Sequence, residues 1–157
     1  MGSKPDNRLD YLNIPYKRPE SVLVVIYTID AQVLLLQRSD IPTFWQSVTG
    51  SLQRNETPLA VAKREVWEET GLMTDSNLQD RQQQNCFEIK PPWKIRYAPE
   101  VTHNTEYVFT LVLPSCQPIQ LNPHEHNAYC WLSRAAALEK VTSYTNREAI
   151  LQYVLPC

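Results

Sequence analysis

Residues 50–72, GSLQRNETPLAVAKREVWEETGL, decide how the fold of this chain is predicted. Thr57 is a good N-cap residue, and Pro58 stands where proline is tolerated at the first helical position. Gly71 is a natural C-terminal stop, since glycine adopts the left-handed conformation at little cost. These signals predict a helix from Pro58 to about Thr70.

The predicted helix carries a cluster of carboxylates beside a face that packs. Three apolar residues share the packing face: Leu59, Ala62 and Val66. The neighbouring face carries Glu65, Glu68 and Glu69. Like charges at these spacings repel by about 0.2–0.5 kcal/mol per pair, and negative charge in the C-terminal half opposes the helix dipole. A divalent cation would remove this repulsion, whereas the alternative is an ordinary solvated acidic face, partly neutralised by Lys63 and Arg64.

The rest of the chain alternates strand and helix patterns. The runs predicted as strands are residues 21–29, 32–37, 45–49, 105–113 and 128–132. A turn at Asp30 and Ala31 joins the first two runs in a hairpin, and Gly50 interrupts the third. Thr145 and Glu148 have the spacing of a capping box, which predicts a C-terminal helix. The mixture predicts an α/β or α+β fold around one core.

Length and composition narrow the class of protein. A length of 157 residues fits one domain, and we expect residues 1–15 to be an irregular N-terminal extension. Apolar residues at 43% and charged residues at 20% are typical of a soluble globular protein. No apolar run reaches the roughly 18 residues of a spanning helix, and no signal peptide is evident. We therefore expect a cytoplasmic protein that does not bind membranes.

Charge and cysteine usage exclude two further classes. A net charge of −2 argues against a nucleic-acid-binding surface, which normally has a basic excess. The four cysteines are Cys86, Cys116, Cys130 and Cys157. They form no C-x-x-C pair, which argues against a zinc knuckle or a thioredoxin-like site and predicts reduced thiols.

Residues 50–72 fit the pattern G-x5-E-x7-R-E-U-x-E-E-x-G-U, where U is bulky and apolar. Its fixed positions are Gly50, Glu56, Arg64, Glu65, Val66, Glu68, Glu69, Gly71 and Leu72. Two of the three glycines in the chain occupy this pattern. It resembles the signature of the Nudix hydrolases. The resemblance implies an α/β/α sandwich with a mixed β-sheet, and hydrolysis of a nucleoside diphosphate linked to another moiety.

The resemblance also implies roles for the residues of the pattern. Glu65 and Glu69 would be the main ligands of Mg²⁺, for which Mn²⁺ can substitute, and Glu68 would add to the same shell. The backbone of Gly50 would contribute as well. Arg64 would orient the acidic cluster, and Glu56 would support the loop before the helix. One carboxylate would act as general base, and the sequence leaves open which one.

Segments outside the pattern resemble one branch of this family, the bacterial enzymes that act on dihydroneopterin triphosphate. They begin at Tyr16, Leu36, Phe44, Arg96, Glu125 and Ser143. This resemblance implies release of pyrophosphate from dihydroneopterin triphosphate in folate biosynthesis, leaving dihydroneopterin monophosphate. The alternatives are a housekeeping enzyme for dATP or damaged nucleoside triphosphates, and a Nudix-fold binding module without catalysis. The module is expected to have a broken pattern, and this pattern is intact.

Positions matched to that branch give the expected substrate contacts, and no oligomeric state is implied. They are Lys17, Arg38, Thr49, Phe87, Glu88 and Ser143, with Lys90 departing from the apolar type expected there. Glu125 matches a third metal ligand or base. For an isolated charged residue the ordinary interpretation is a solvated surface position.

The sequence gives no reason to assign a functional role to the histidines or to Trp45. His124 and His126 flank Glu125, but without further ligands they do not predict a transition-metal site. His103 is interpreted as a surface or strand-edge residue. Trp45 is expected to pack and not to stack on a ligand.

Overall fold

A computed structural model describes residues 16–156, so the predicted irregular extension over residues 1–15 lies outside the described part of the chain. Its strands are β1 (Glu20–Thr28), β2 (Gln32–Arg38), β3 (Trp45–Gln46), β4 (Val48–Ser51), β5 (Leu78–Glu88), β6 (His103–Leu113) and β7 (His126–Ser133). Its helices are α1 (Pro58–Thr70), α2 (Arg134–Lys140) and α3 (Tyr144–Tyr153), with a short 3-10 helix over Trp93–Arg96. None of the described helices is long and apolar enough to cross a membrane.

The strands form one mixed sheet. Its main path runs β3, β2, β1, β6, β5, while β4 also pairs with β1 and β7 with β2. β6 pairs in parallel with the whole of β1, from Glu20 opposite Thr105 to Thr28 opposite Leu113. The other pairings are antiparallel. The mixed sheet confirms the predicted α/β class.

Each face of the sheet is covered by helices. Val22, Val24 and Ile26 of β1 belong to the apolar core that includes α1. Leu23 and Val25 point to the opposite face and belong to the core that includes α2 and α3. Because successive strand residues alternate faces, a strand buried on both sides needs a continuous apolar run. The arrangement confirms the predicted α/β/α sandwich.

Most predicted elements are found within two residues of their expected bounds. The hairpin between β1 and β2 turns at Ala31, which has a φ of 64° and donates its N–H to the Thr28 carbonyl at 2.9 Å. Cys86, Cys116 and Cys130 are free thiols, as predicted. Cys157 lies outside the described residues.

The third strand is interrupted at a different place from the predicted one. Gly50 lies inside β4, opposite Val22 of β1, so the expectation that it breaks the strand is wrong. The break falls at Ser47, whose N–H bonds the Asn146 side chain at 2.8 Å instead of a neighbouring strand. This contact ties α3 to the sheet.

Two helix predictions also need correction. Leu59 is 44% exposed, while Val61 is fully buried, so the packed stripe of α1 is rotated from the predicted one and includes Glu65 and Glu69. The predicted capping box at Thr145 is wrong, because α3 begins earlier. Ser143 is the N-cap, and its hydroxyl accepts the N–H of Asn146 at 3.4 Å.

Candidate active site

The glutamate-bearing helix α1 is fixed at both ends by its own sequence. The Thr57 hydroxyl accepts the N–H of Ala60 at 3.3 Å. At the other end Gly71 has a φ of 76°, and its N–H donates to the Trp67 carbonyl at 2.9 Å. The caps fix where α1 begins and ends, while the packing of Val61, Ala62 and Val66 in the core fixes the face that it presents to the sheet.

Gly50 of β4 gives one glutamate its place. A Cβ at Gly50 would lie 2.3 Å from both Cγ and Cδ of Glu65 and 2.5 Å from its Oε2. No side chain fits in that space, so glycine permits a close approach between the strand and the Glu65 carboxylate.

Three carboxylates converge beside this contact. Glu65 and Glu69 of α1 are 8% and 1% exposed, and Glu125 reaches them from the turn before β7. One oxygen of each lies within 4.8 Å of the other two. The fourth predicted acid, Glu68, is exposed and lies outside this group. The structure therefore brings together three of the four predicted acids.

Burial dominates the electrostatics of the cluster. It raises the pKa of Glu65 and raises the pKa of Glu69 strongly, and the neighbouring Glu65 and Glu125 raise the Glu69 pKa further. Glu69 Oε1 has no hydrogen-bond partner among the described residues. Buried carboxylates need a proton or a cation, and this donor set suits a divalent metal ion.

Arg64 links the cluster to the loop before α1. Its Nε and Nη2 donate to the two oxygens of Glu56 at 3.0 and 2.9 Å. Its Nη1 donates to Glu65 Oε2 at 2.9 Å and to Glu68 at 3.4 Å. Glu56 also accepts the N–H of Gln53 at 2.7 Å. This geometry suits the positioning roles that the resemblance implies for Arg64 and Glu56.

A cavity of about 1020 Å³ opens beside the carboxylates. Its lining includes Gly50, Glu65 and Glu125. All six expected substrate contacts line it as well: Lys17, Arg38, Thr49, Phe87, Glu88 and Ser143. Lys90 also lines the cavity, where its amine pairs with Glu88 at 3.3 Å.

Besides Lys90, which pairs with Glu88, three cations line the cavity: Lys17, Arg38 and Arg96. Burial lowers the pKa of Lys17, and the charges of Arg96 and Arg38 lower it further. The guanidinium of Arg38 lies 5.8 Å from the Phe44 ring centre and 5.6 Å from that of Trp93. Cations beside acids suit a metal-bound polyphosphate, since the anion complements both.

Several cavity residues were not found by the sequence reasoning. Phe44, Trp93 and Arg96 line the cavity, as do Asn104 and Glu106 of β6. Asn104 and Glu106 are only 3% and 6% exposed. A charged residue in register with the core positions of a strand would have been a usable signal.

The histidines and Trp45 are placed as follows. His126 is 2% exposed, with Nε2 3.9 Å from Glu69 Oε1, and burial lowers its pKa to about 4. It is therefore neutral near pH 7. His103 is exposed at the start of β6, as predicted. Trp45 packs against the core below α2 and α3, with the Lys140 amine 4.3 Å from its ring centre, which confirms the packing role.

Comparison with known proteins places this site in a family. Residues 17–153 match the NUDIX domain. The chain is 44% identical over 149 residues to the dihydroneopterin triphosphate diphosphatase of Haemophilus influenzae, covering 92% of each protein. It is 48% identical over 144 residues to the Escherichia coli K12 protein of the same name, covering 89% of this chain and 95% of that one.

Solved structures of related proteins share the fold of this chain. The structure of the E. coli dihydroneopterin triphosphate pyrophosphohydrolase superposes with a TM-score of 0.83 at 48% identity, over 88% of this chain and 97% of that one. A NUDIX hydrolase structure from Listeria monocytogenes shares the fold with a TM-score of 0.72 at 24% identity. Because the NUDIX domain match spans residues 17–153, nearly the whole described chain, the protein belongs to the Nudix hydrolase family.

Proposed function

We propose that this protein hydrolyses dihydroneopterin triphosphate to dihydroneopterin monophosphate and pyrophosphate, with Mg²⁺ as its metal ion. The observation that carries the proposal is the position of the Glu65, Glu69 and Glu125 carboxylates beside a cavity whose lining includes Lys17, Arg38 and Arg96. The two relatives named for this reaction support it, since each is similar over about nine-tenths of this chain.

In this proposal the main metal ligands are Glu65 and Glu69, with the backbone of Gly50 beside them. Glu125 is either a third ligand or the general base. The unpartnered Oε1 of Glu69 gives the donor set a free buried oxygen. When bound, Mg²⁺ neutralises phosphate oxygens and lowers the pKa of a coordinated water, and Mn²⁺ has similar ligand preferences. Arg64 acts through Glu65, because its Nη1 donates to Glu65 Oε2 at 2.9 Å and holds that carboxylate in place.

The phosphate chain is held by cations of the cavity wall. Lys17, Arg38 and Arg96 provide charge to phosphate oxygens, and charge-assisted hydrogen bonds are stronger than neutral ones. Thr49 offers a hydroxyl, which accepts from Gln46 Nε2 at 3.3 Å and keeps its proton free to donate. Together these groups hold the polyphosphate against the acidic cluster.

Proton transfer is assigned to a carboxylate of the same site. Glu65 and Glu69 are buried, whereas Glu68 and Glu125 are exposed and can exchange a proton with solvent. A general base must reach the attacking water and return its proton to solvent. We therefore assign the base to Glu125 or Glu68, of which only Glu125 lies within the converging trio.

A substrate panel tests the proposed function. Purified protein with Mg²⁺ is assayed for kcat/KM on dihydroneopterin triphosphate, dATP, dGTP and an oxidised guanine nucleotide. The proposal expects dihydroneopterin triphosphate to be the best substrate. Equal or faster turnover of the nucleotides would replace it with the housekeeping role.

A further inference from the structure

One wall of the cavity is a strand whose buried face changes from apolar to polar. Asn104, Glu106 and Val108 of β6 are spaced two residues apart and therefore share one face of the sheet. Val108 is fully buried in the core below α2 and α3. Glu106 and Asn104 continue the same row into the lining of the cavity. A carboxylate and an amide therefore occupy positions on this face of β6 where apolar core residues would be expected.

Glu106 is a buried acid held only by neutral groups. It is 6% exposed. Its carboxylate accepts a hydrogen bond from Asn85 Nδ2 at 3.2 Å and another from the side chain of Thr145. No Lys, Arg or His within residues 16–156 forms a salt bridge with it. Burial raises the pKa of Glu106, and the two hydrogen bonds oppose that rise. A buried carboxylate without a cation is costly for folding, which is typical of a residue kept for function.

Asn104 adds a second unused acceptor at the same wall. Its Nδ2 donates to the Ser21 hydroxyl at 2.8 Å. Its Oδ1 is buried and has no hydrogen-bond partner among the described residues. Asn104 is 3% exposed and lines the cavity. Buried polar atoms are almost always satisfied, so an unpaired amide oxygen on a residue of the cavity lining favours a ligand that donates to this side chain.

The acceptors at this wall match one class of heterocycle. The 2-amino-4-oxopyrimidine edge, which pterin and guanine share, carries an amino group next to a ring N–H. Two adjacent donors fit a carboxylate in the manner of a bidentate pair. Adenine instead places a ring nitrogen acceptor beside its amino group, and that nitrogen would face the Glu106 carboxylate.

We propose that Glu106, with Asn104, is the specificity determinant of this cavity and selects substrates that carry a 2-amino-4-oxopyrimidine edge. The inference rests on the proposed function, because it takes the same cavity as the substrate site. A site built from buried polar groups rejects a ligand that leaves them unpaired far more strongly than an apolar pocket rejects a misfit. Selection against adenine therefore follows from the cost of leaving Glu106 unpaired.

The test is Glu106→Gln, with Glu148→Gln as the matched control. Glu148 is exposed on α3 and does not line the cavity. Glutamine keeps the size of the side chain but replaces one acceptor by a donor. We expect kcat/KM for dihydroneopterin triphosphate and for dGTP to fall about ten- to a hundredfold, mainly through KM. For dATP we expect kcat/KM to stay within about threefold or to rise, and the control to match wild type on all three.

The outcomes separate this inference from the proposed function. If wild type prefers dihydroneopterin triphosphate and Glu106→Gln leaves its ratio to dATP unchanged, the inference is overturned and the function stands. If wild type prefers dGTP to every other substrate and Glu106→Gln removes that preference, the inference stands and the function is overturned.

A second variant and a binding measurement show whether a loss of activity in Glu106→Gln comes from misfolding. Asn104→Ala removes the unpartnered oxygen without touching Glu106, and a smaller loss in the same direction is expected. Binding of dihydroneopterin itself, without phosphates or metal, is followed by its fluorescence. Both variants should weaken this binding, whereas unchanged binding by folded protein would contradict the assignment.

Discussion

Replacing Gly50 by alanine tests whether the close approach of β4 and α1 builds the metal site. The new Cβ would lie 2.3 Å from Cγ and Cδ of Glu65, which is far inside van der Waals contact. The Glu65 side chain can swing aside, so the cost in unfolding free energy should be modest, about 1–3 kcal/mol. The carboxylate, however, would leave the group in which the three oxygens lie within 4.8 Å. We expect kcat to fall by about a hundredfold, as for a catalytic group displaced by about an ångström.

The assay pairs this variant with Gly71→Ala. Alanine at Gly71 must adopt a φ of 76°, and its Cβ would meet Gln120 Cβ at 3.2 Å, so it should cost about 1–2 kcal/mol without moving Glu65. Mg²⁺ affinity is measured by calorimetry, kcat by pyrophosphate release and stability by thermal unfolding. Gly71→Ala should lose stability but keep Mg²⁺ affinity and kcat. Near-normal kcat and Mg²⁺ affinity in Gly50→Ala would refute the reasoning.

Three further changes test other parts of the account. Glu65→Gln and Glu69→Gln should each lower Mg²⁺-dependent turnover by roughly a thousandfold with the circular dichroism spectrum unchanged; near-normal turnover in either would show that the metal assignment is wrong. Arg38→Ala should raise KM about tenfold with an unaltered Mg²⁺ requirement, while the exposed Arg54→Ala serves as control; equal KM values in the two variants would place Arg38 outside the site. Thr57→Ala should lower stability by about 1 kcal/mol through loss of the N-cap, seen as a Tm about 2–4 °C lower, and an unchanged Tm would argue against that cap.

Local signals explain which parts of the fold were predictable. The bounds of α1 follow from Thr57, Pro58 and Gly71, because capping and proline preferences act within a few residues. The central strand β1 follows from its unbroken apolar run, since burial on both faces leaves no polar position. These features can be predicted because they depend only on residues that are close in sequence.

The elements that were not predicted depend on contacts with parts of the chain that are distant in sequence. β5 (Leu78–Glu88) reads LQDRQQQNCFE, which has few of the β-branched residues that mark strands. It pairs with β6 alone among the described strands, and its alternate residues are only partly buried. α2 (Arg134–Lys140) has seven residues, too few to show a helical period, and its N-cap Ser133 is recognised only once the structure is known.

The candidate site divides in the same way. The spacing of the α1 acids on one helix is visible in the sequence and unfavourable without a cation, but it fits an ordinary acidic surface as well. The match of residues 50–72 to the Nudix pattern is what singled out Glu65 and Glu69. Glu125 came from resemblance, since the loop that carries it has no pattern of its own. Asn104 and Glu106 stand in register with core positions of β6, which is a signal of buried polar residues. Their place beside the cavity could not be predicted, because it depends on the parallel pairing of β1 and β6.

Product identification by phosphorus NMR in oxygen-18 water tests the central claim most directly. Wild-type protein with Mg²⁺ and dihydroneopterin triphosphate should yield dihydroneopterin monophosphate and inorganic pyrophosphate in equal amounts, with the isotope in one of the two. Chelation of Mg²⁺ should stop the reaction. Release of orthophosphate in place of pyrophosphate, or turnover that persists without a divalent metal ion, would contradict the account.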